Sequence, residues 1–188
     1  TKSLFRPMRV MFALLLSILL ALPGGAALAA PADVPPTCSM AIVVTSNLNS
    51  GAGTLRQAII DICDSGTITF AGDMTITLTS GELGIAKSVT IDGETNAVTI
   101  SGNDASRVFS IAGGTVILNH LTIRDGYSYG EGGGILSTGA LTIHQSLITE
   151  NTSYGGGGIS QRDGSLTIDE STISVNSELS GFGGGIFF

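Results

Sequence analysis

The chain holds 188 residues, 43% hydrophobic, 12% charged and 5% aromatic, with 27 glycines and no tryptophan. Composition this apolar excludes a disordered chain, and its wealth of glycine, threonine, isoleucine and serine favours sheet with many turns. Without the basic leader described next, five basic residues face fifteen acidic ones, a net charge of about −10 that disfavours nucleic acid and anionic membrane as partners.

Lys2, Arg6 and Arg9 form a basic start, "VMFALLLSILLAL" (Val10 to Leu22) is an apolar run of 13, and Pro23-Gly24-Gly25 breaks it ahead of Ala27-Leu28-Ala29. This is the plan of a secretory signal peptide, residues 1–29, cleaved after Ala29; a membrane anchor, the other reading, needs about 20 apolar residues. The mature chain is expected at the cell surface or outside the cell, with no membrane insertion of its own. The sequence opens on Thr1 and stops inside a repeat at "GGGIFF". It therefore reads as a fragment whose remaining part would carry further coils or an anchor.

Residues 30–65 are expected to form an N-terminal strand and a capping helix. In "TLRQAIIDIC" (Thr54 to Cys63), Thr54 with Gln57 three positions on makes a capping box, and Leu55, Ala58, Ile59 and Ile62 share one helical face. Such a helix would cover the exposed end of a sheet stack, whose edge strands otherwise invite further pairing. Cys38 and Cys63 can pair in an exported protein, closing a loop of about 25 residues worth roughly 3 kcal/mol in the chain-entropy model; two buried free thiols are the other reading.

Residues 66–188 show the pattern of stacked coils. "GTITF", "MTITLTSGEL", "SVTIDG", "AVTISGN" and "RVFSIAG" alternate apolar and polar residues over three to five positions, enough for about two coils. From Thr115 the pattern becomes a strict repeat. Val116, Leu141 and Leu166 stand 25 apart, as do Leu118, Ile143 and Ile168, and Ile123, Ile148 and Ile173. Three short strands per repeat make one triangular coil that cannot bury its inward residues alone, so coils must stack in register. The expected fold is an all-β, right-handed parallel β-helix of about 25 residues per coil, because parallel crossings are right-handed. All length variation between repeats falls after Ile123, Ile148 and Ile173, in one corner that ends in glycines: Gly132–Gly134, Gly155–Gly158 and Gly183–Gly185.

"VTSNLNSGAGTLRQAIIDICDSGTITF" (Val44 to Phe70), "TITLTSGELGIAKSVTIDG" and "VTISGNDASRVFSI" resemble the N-terminal region of bacterial surface β-helix proteins of the CSLREA type. The "GGGI" and "IxxN" elements (Ile148 to Asn151, Ile173 to Asn176) are similar to the repeats of polymorphic outer-membrane proteins. The resemblance implies an exported, elongated, adhesin-like or passenger module at the cell outer membrane. The sequence departs from the pattern at Gly53-Thr54, where the named motif begins with cysteine and serine, at Gln57 in place of its glutamate, and at Gly126 in place of the first "IxxN" asparagine.

Corners face solvent and are where chemistry would sit. Asn119, His144 and Asp169 stack in one row and His120, Gln145 and Glu170 in the next, but a metal needs three or four converging ligands, so these read as polar turns with no metal or cofactor. The enzymes sharing this architecture, pectate-lyase-like glycan-cleaving proteins, need clustered carboxylates and a basic residue; Asp169, Glu170 and Glu150 are the nearest candidates, and Arg124 and Arg162 stand singly. A calcium-binding "GGxGxD" turn is absent after Gly155-Gly156. Outward threonines, with Ile117, Thr142 and Thr167 on one strand and Thr122, Thr149 and Ser174 on the next, are too ragged for an ice-binding rank and follow from β-propensity. Tyr129 and Tyr154, 25 residues apart, with Phe182 before the last glycines, form an aromatic corner column that either covers a turn or stacks on sugar rings. The leading expectation is a non-catalytic surface module with no catalytic residues in this chain, contacting an extracellular glycan or surface protein through that column. The alternative is a polysaccharide-binding or glycan-cleaving enzyme whose active coils follow Phe188.

Overall fold

A computed structural model describes residues 38–181 and 183–188; the leader expected over residues 1–29 and Phe182 of the aromatic column lie outside the described residues. The chain enters through β1 (Ser39–Val44) and α1 (Leu55–Asp61). A first coil follows, of β2 (Ile62–Phe70), β3 (Met74–Thr77) and β4 (Leu83–Ile85), and a second, of β5 (Val89–Asp92), β6 (Val98–Ser101) and β7 (Phe109–Ile111). The third holds β8 (Thr115–Asn119), β9 (Leu121–Arg124), β10 (Tyr127–Glu131) and β11 (Ile135–Ser137). The fourth holds β12 (Ala140–His144), β13 (Leu147–Thr149), β14 (Thr152–Gly155) and β15 (Ile159–Gln161), and the fifth β16 (Leu166–Asp169), β17 (Thr172–Ser174), β18 (Ser177–Glu178) and β19 (Ile186–Phe187).

Strands pair in parallel with their counterparts one coil away. The first sheet runs β1-β2-β5-β8-β12-β16, the second β3-β6-β9-β13-β17 and the third β4-β7-β11-β15-β19. The fold is the expected right-handed parallel β-helix, with 25 residues separating partners such as Leu118 and Ile143. One expectation changes. From the third coil onward a fourth strand occupies the variable corner, so that β10, β14 and β18 form a short ladder of their own. In the second coil the same corner is a turn through Asn103 and Asp104, both at positive φ. The later coils extend there instead, with small inward residues such as the fully buried Ser153 that leave no hydrophobic period to read.

Inside the cylinder the expected aliphatic row runs Ile76, Ile100, Ile123, Ile148 and Ile173 down the second sheet, in register from strand to strand. The first four are at most 1% exposed. Truncating one such isoleucine to alanine costs about 2–5 kcal/mol through lost burial and the cavity left behind.

Two bends turn each of the later coils, and both use one residue in the left-handed region: His120, Gln145 and Glu170 at the first bend, Asp125, Glu150 and Val175 at the second. From the fourth coil onward the residue after each is a serine or an asparagine (Ser146, Ser171, Asn151, Asn176), whose side chain satisfies backbone groups that the bend has withdrawn from the ladders. At the first bend Ser146 Oγ accepts the Leu121 N–H at 3.1 Å and donates to His144 O at 2.8 Å. At the second, Asn151 Nδ2 donates to Thr149 O at 2.9 Å and Ile123 O at 3.1 Å, while its Oδ1 accepts the Gly126 N–H at 2.8 Å. Asn176 repeats the pattern one coil on, donating to Ile148 O and accepting the Asn151 N–H. Each asparagine serves the coil before it, so the Gly126 N–H donates the last bond of this row, and a Cβ there would stand 2.7 Å from Asn151 Oδ1.

The helix closes the N-terminal end against β1, β2 and β4, with Leu55, Ala58 and Ile59 buried. Thr54 caps it by accepting the Gln57 N–H, but the reciprocal half of the capping box is missing: the Gln57 amide bonds the Asp61 carboxylate at 2.9 and 3.0 Å instead. Arg56 ties the cap to the first coil by donating to Asn49 O, Gly81 O and Glu82 O. Cys38 and Cys63 are joined by a disulfide, their Cα atoms 4.9 Å apart.

The glycine corner is a close-approach site rather than a linker. Gly156 has φ +63°, and a Cβ at Gly157 would strike the carbonyl oxygen of Ser177 and lie 2.7 Å from that of Gly184. Gly157→Val is therefore expected to lower Tm by roughly 3–10 °C in a calorimetric melt, the scale of overpacking a tight site. Val175, a β-branched residue at φ 55° and 74% exposed, is strained in a position that asparagine tolerates. Val175→Asn should raise Tm by about 2–4 °C in the same measurement.

Candidate functional site

The short ladder carries Tyr129 and Tyr154 of the expected aromatic column and places two further apolar side chains beside them. Tyr127 pairs with Thr152, Ser128 with Ser153 and Glu131 with Gly155, and a bulge between Ser128 and Glu131 sets Tyr129 and Gly130 against Tyr154. Such a bulge re-aims side chains and leaves one residue locally unpaired in the ladder. Period-two alternation puts Tyr127 and Tyr129 on the outer face, with ring centroids 5.0 Å apart and planes at 89°. Tyr129 is 83% and Tyr154 43% exposed. The Leu179 N–H bonds Ser153 O at 2.9 Å, which stands Leu179, 51% exposed, beside Tyr154 in the next coil. The result is a stripe along the solenoid axis: Tyr127 and Tyr129, then Tyr154, then Leu179. Desolvation by its surroundings, reinforced by the Tyr129 hydroxyl and by Tyr154, pushes the Tyr127 phenol above its ordinary pKa.

Beneath the stripe, at the turn from the short ladder into the third sheet, one arginine holds the backbone and a second holds the Glu131 side chain. Arg107 reaches under the corner, donating to Ser128 Oγ, Glu131 O and Gly132 O and pairing with Glu82. Glu131 lies across the outer face of the third sheet, accepting from Arg162 at 2.6 and 2.9 Å and from Ser160 Oγ at 2.9 Å. The Arg162 guanidinium, aided by Ser160, holds the Glu131 carboxyl below the usual range. These groups set the geometry of the strand that bears Tyr127 and Tyr129.

The polar rows at the first bend pair up as the register requires. His144 opposes Asn119 and Asp169, and its Nδ1 lies 2.9 Å from Asp169 Oδ2. His120 Nδ1 lies 2.9 Å from Asp92 Oδ1, and the two imidazoles meet edge to face at 6.2 Å. Gln145 donates to Glu170 at 2.7 Å. The bond to Asp92 raises the His120 pKa against the opposing effect of desolvation. Burial pushes Asp92 up, but bonds from the Glu94 N–H, His120 and Asn119 outweigh it and hold the carboxyl low. Among the described residues no group of three or more His, Cys, Asp or Glu side chains is arranged to hold a metal.

The three carboxylates singled out for catalysis are not brought together. Asp169 and Glu170 stand at the first bend and Glu150 at the second, where Arg124 lies between Asp125 at 3.4 Å and Glu150 at 3.7 Å. Arg124 and Arg162, single in the sequence, are thus both paired in the fold. The first outward row falls as expected, with Thr142 between Ile117 and Thr167, but the second does not: Leu147, not Thr149, lies between Thr122 and Thr172, and Thr149 lies between Arg124 and Ser174. Two open grooves flank these faces. One of about 870 Å³ runs between residues 45–48 and Asp73, Thr75 and Thr99, and one of about 680 Å³ runs along His120, Gln145 and Glu170. No helix among the described residues is long and apolar enough to cross a membrane.

Tyr127 and Arg107 escaped the sequence reading. The spacing Tyr-Ser-Tyr in "YSYGE" was the available signal for Tyr127, since period two on a strand puts both rings on one face. Nothing in "ASRVFSI" marks Arg107, whose partners lie 21 to 25 residues away. Compared with models of known protein families and with curated proteins, the chain finds no match in either.

The His120–Asp92 pair gives a pH test. A raised folded-state pKa means that the His120 contribution is complete below about pH 6.5 and is lost as pH rises through the folded value. Asp92, with its lowered pKa, contributes above about pH 4, and its part is lost as pH falls through its folded value. Wild-type urea midpoints should therefore decline from pH 6 to pH 8, and His120→Gln should flatten that decline. A parallel slope in the variant would refute the assignment.

Proposed function

We propose that the chain is an exported, non-catalytic surface module of the adhesin or passenger kind, presenting the tyrosine stripe to an extracellular glycan or surface protein. The observation that carries this reading is the concentration of all three tyrosines of the chain in one solvent-facing ladder, with Tyr129 83% exposed. Large exposed aromatic surface costs solubility unless a partner covers it, and contiguous patches of this kind mark contact sites.

Three further features support it. Residues 1–29 have the composition of a cleaved leader, and the Cys38–Cys63 bridge suits an oxidising compartment. The acidic balance of the remaining chain suits a soluble surface. The likeness of Val44–Phe70 and of the "GGGI" and "IxxN" elements to bacterial CSLREA-type and polymorphic outer-membrane proteins supports a place at the bacterial cell surface.

Fluorescent beads coated with the full chain should adhere to cell surfaces or extracellular matrix, and Tyr129→Ala combined with Tyr154→Ala should reduce retention at least fivefold while leaving the thermal melt unchanged. Unchanged retention refutes the contact site. Multiple-turnover cleavage of any polysaccharide in a panel by the purified wild type refutes the non-catalytic role.

A further inference from the structure

Resting on that contact reading, we propose that the stripe of Tyr127, Tyr129, Tyr154 and Leu179 is a subsite for uncharged pyranose sugars, a neutral stretch of polysaccharide rather than an acidic glycan or a protein.

Shape is the first argument. Tyr127 and Tyr129 meet at 89° with centroids 5.0 Å apart, so one ring offers a floor and the other a wall. A pyranose presents a C–H face that stacks on an aromatic floor and an edge that rests against a second ring, leaving its hydroxyls to the rim. Strand spacing of about 4.8 Å sets the stripe's three rungs over about 10 Å along the axis. The exposed parts of four side chains, two in the third coil and one in each of the next two, fall well short of the roughly 800 Å² per partner of a stable protein interface.

Charge is the second argument, and it separates neutral sugars from acidic ones. Acidic polysaccharides need unpaired guanidinium or ammonium groups, yet all five basic residues among the described ones are engaged. Arg107 pairs with Glu82, Arg124 with Asp125 and Glu150, and Arg162 with Glu131. Arg56 and Lys87 donate to backbone carbonyls at the capped end. The carboxylates bordering the stripe are Asp125 and Glu150 at the adjoining bend, which share Arg124, Glu131 at the end of β10, which pairs with Arg162, and Glu178 on β18. With each of these guanidinium groups already matched by at least one carboxylate, this border offers hydrogen-bond acceptors to sugar hydroxyls but no surplus positive charge to uronates and sulfates.

The chain has three tyrosines and no tryptophan, so its intrinsic ultraviolet emission comes from these residues alone. The full chain should be titrated with cellohexaose, xylohexaose, mannohexaose, chitohexaose and hexagalacturonate, read by tyrosine emission and by calorimetry. At least one neutral oligosaccharide is expected to give a saturable change that is insensitive to salt. Tyr129→Ala should weaken its Kd at least tenfold, with Tyr129→Phe retaining binding. Binding of hexagalacturonate in preference, weakening with salt, overturns the neutral assignment. Silence with every oligosaccharide, while bead adhesion still depends on Tyr129, overturns the sugar and leaves the contact reading standing. If neither readout depends on Tyr129, both fall.

Discussion

Everything in this molecule depends on vertical register at the bends. A strand that stops after three to five residues must turn sharply, and turning withdraws backbone N–H and C=O groups from the ladders while keeping them inside the cylinder. Unsatisfied, each such group costs about 1–3 kcal/mol. From the fourth coil onward the chain resolves this with one left-handed residue followed by one serine or asparagine, whose side chain bonds the coil before it. The same side chains therefore both permit the turn and lock one coil onto the next. A slip of one residue would turn the isoleucine rows outward and leave the buried asparagines without partners.

The tyrosine stripe follows from this arrangement. Once the second bend is fixed by Asn151 and Asn176, the segment leaving it is held extended, and its alternation sends small residues in and aromatic ones out. The glycines that end the segment allow the chain to dive back toward the third sheet in close contact with its neighbours. Arg107 and Glu131 then brace the turn from beneath. The exposed rings are thus mounted on a stiff support, and the backbone beneath them would lose little freedom in the contact proposed above.

Much of this could be read from the sequence because the core is aliphatic and strictly periodic. The rows beginning at Val116, Leu118 and Ile123 identify themselves, and their repeat spacing fixes the architecture. The short ladder escaped because its inward residues are serine and glycine, which carry no hydrophobic signal, although the length variation pointed to the right corner. Tyr129 and Tyr154 were legible through their spacing of 25, whereas the period-two spacing of Tyr127 to Tyr129 carries meaning only once the segment is known to be a strand. The half-formed capping box shows the limit of motif reasoning: Gln57 had a closer carboxylate, that of Asp61, one helical turn on. Arg107 lay beyond reach, because its partners are brought near only by stacking.

The disulfide acquires a mechanical meaning if the chain is loaded from its N-terminal side, as the proposed adhesive role would require. Tension entering from the N-terminal side reaches Cys38 and crosses directly to Cys63, so the covalent bond bypasses β1 and α1, which lie between them. The capping helix is then outside the load path and cannot be peeled away by a pull that would otherwise open the end of the stack. Force emerges at β2, whose bonds to β5 would have to fail together along the strand rather than one after another from a frayed edge.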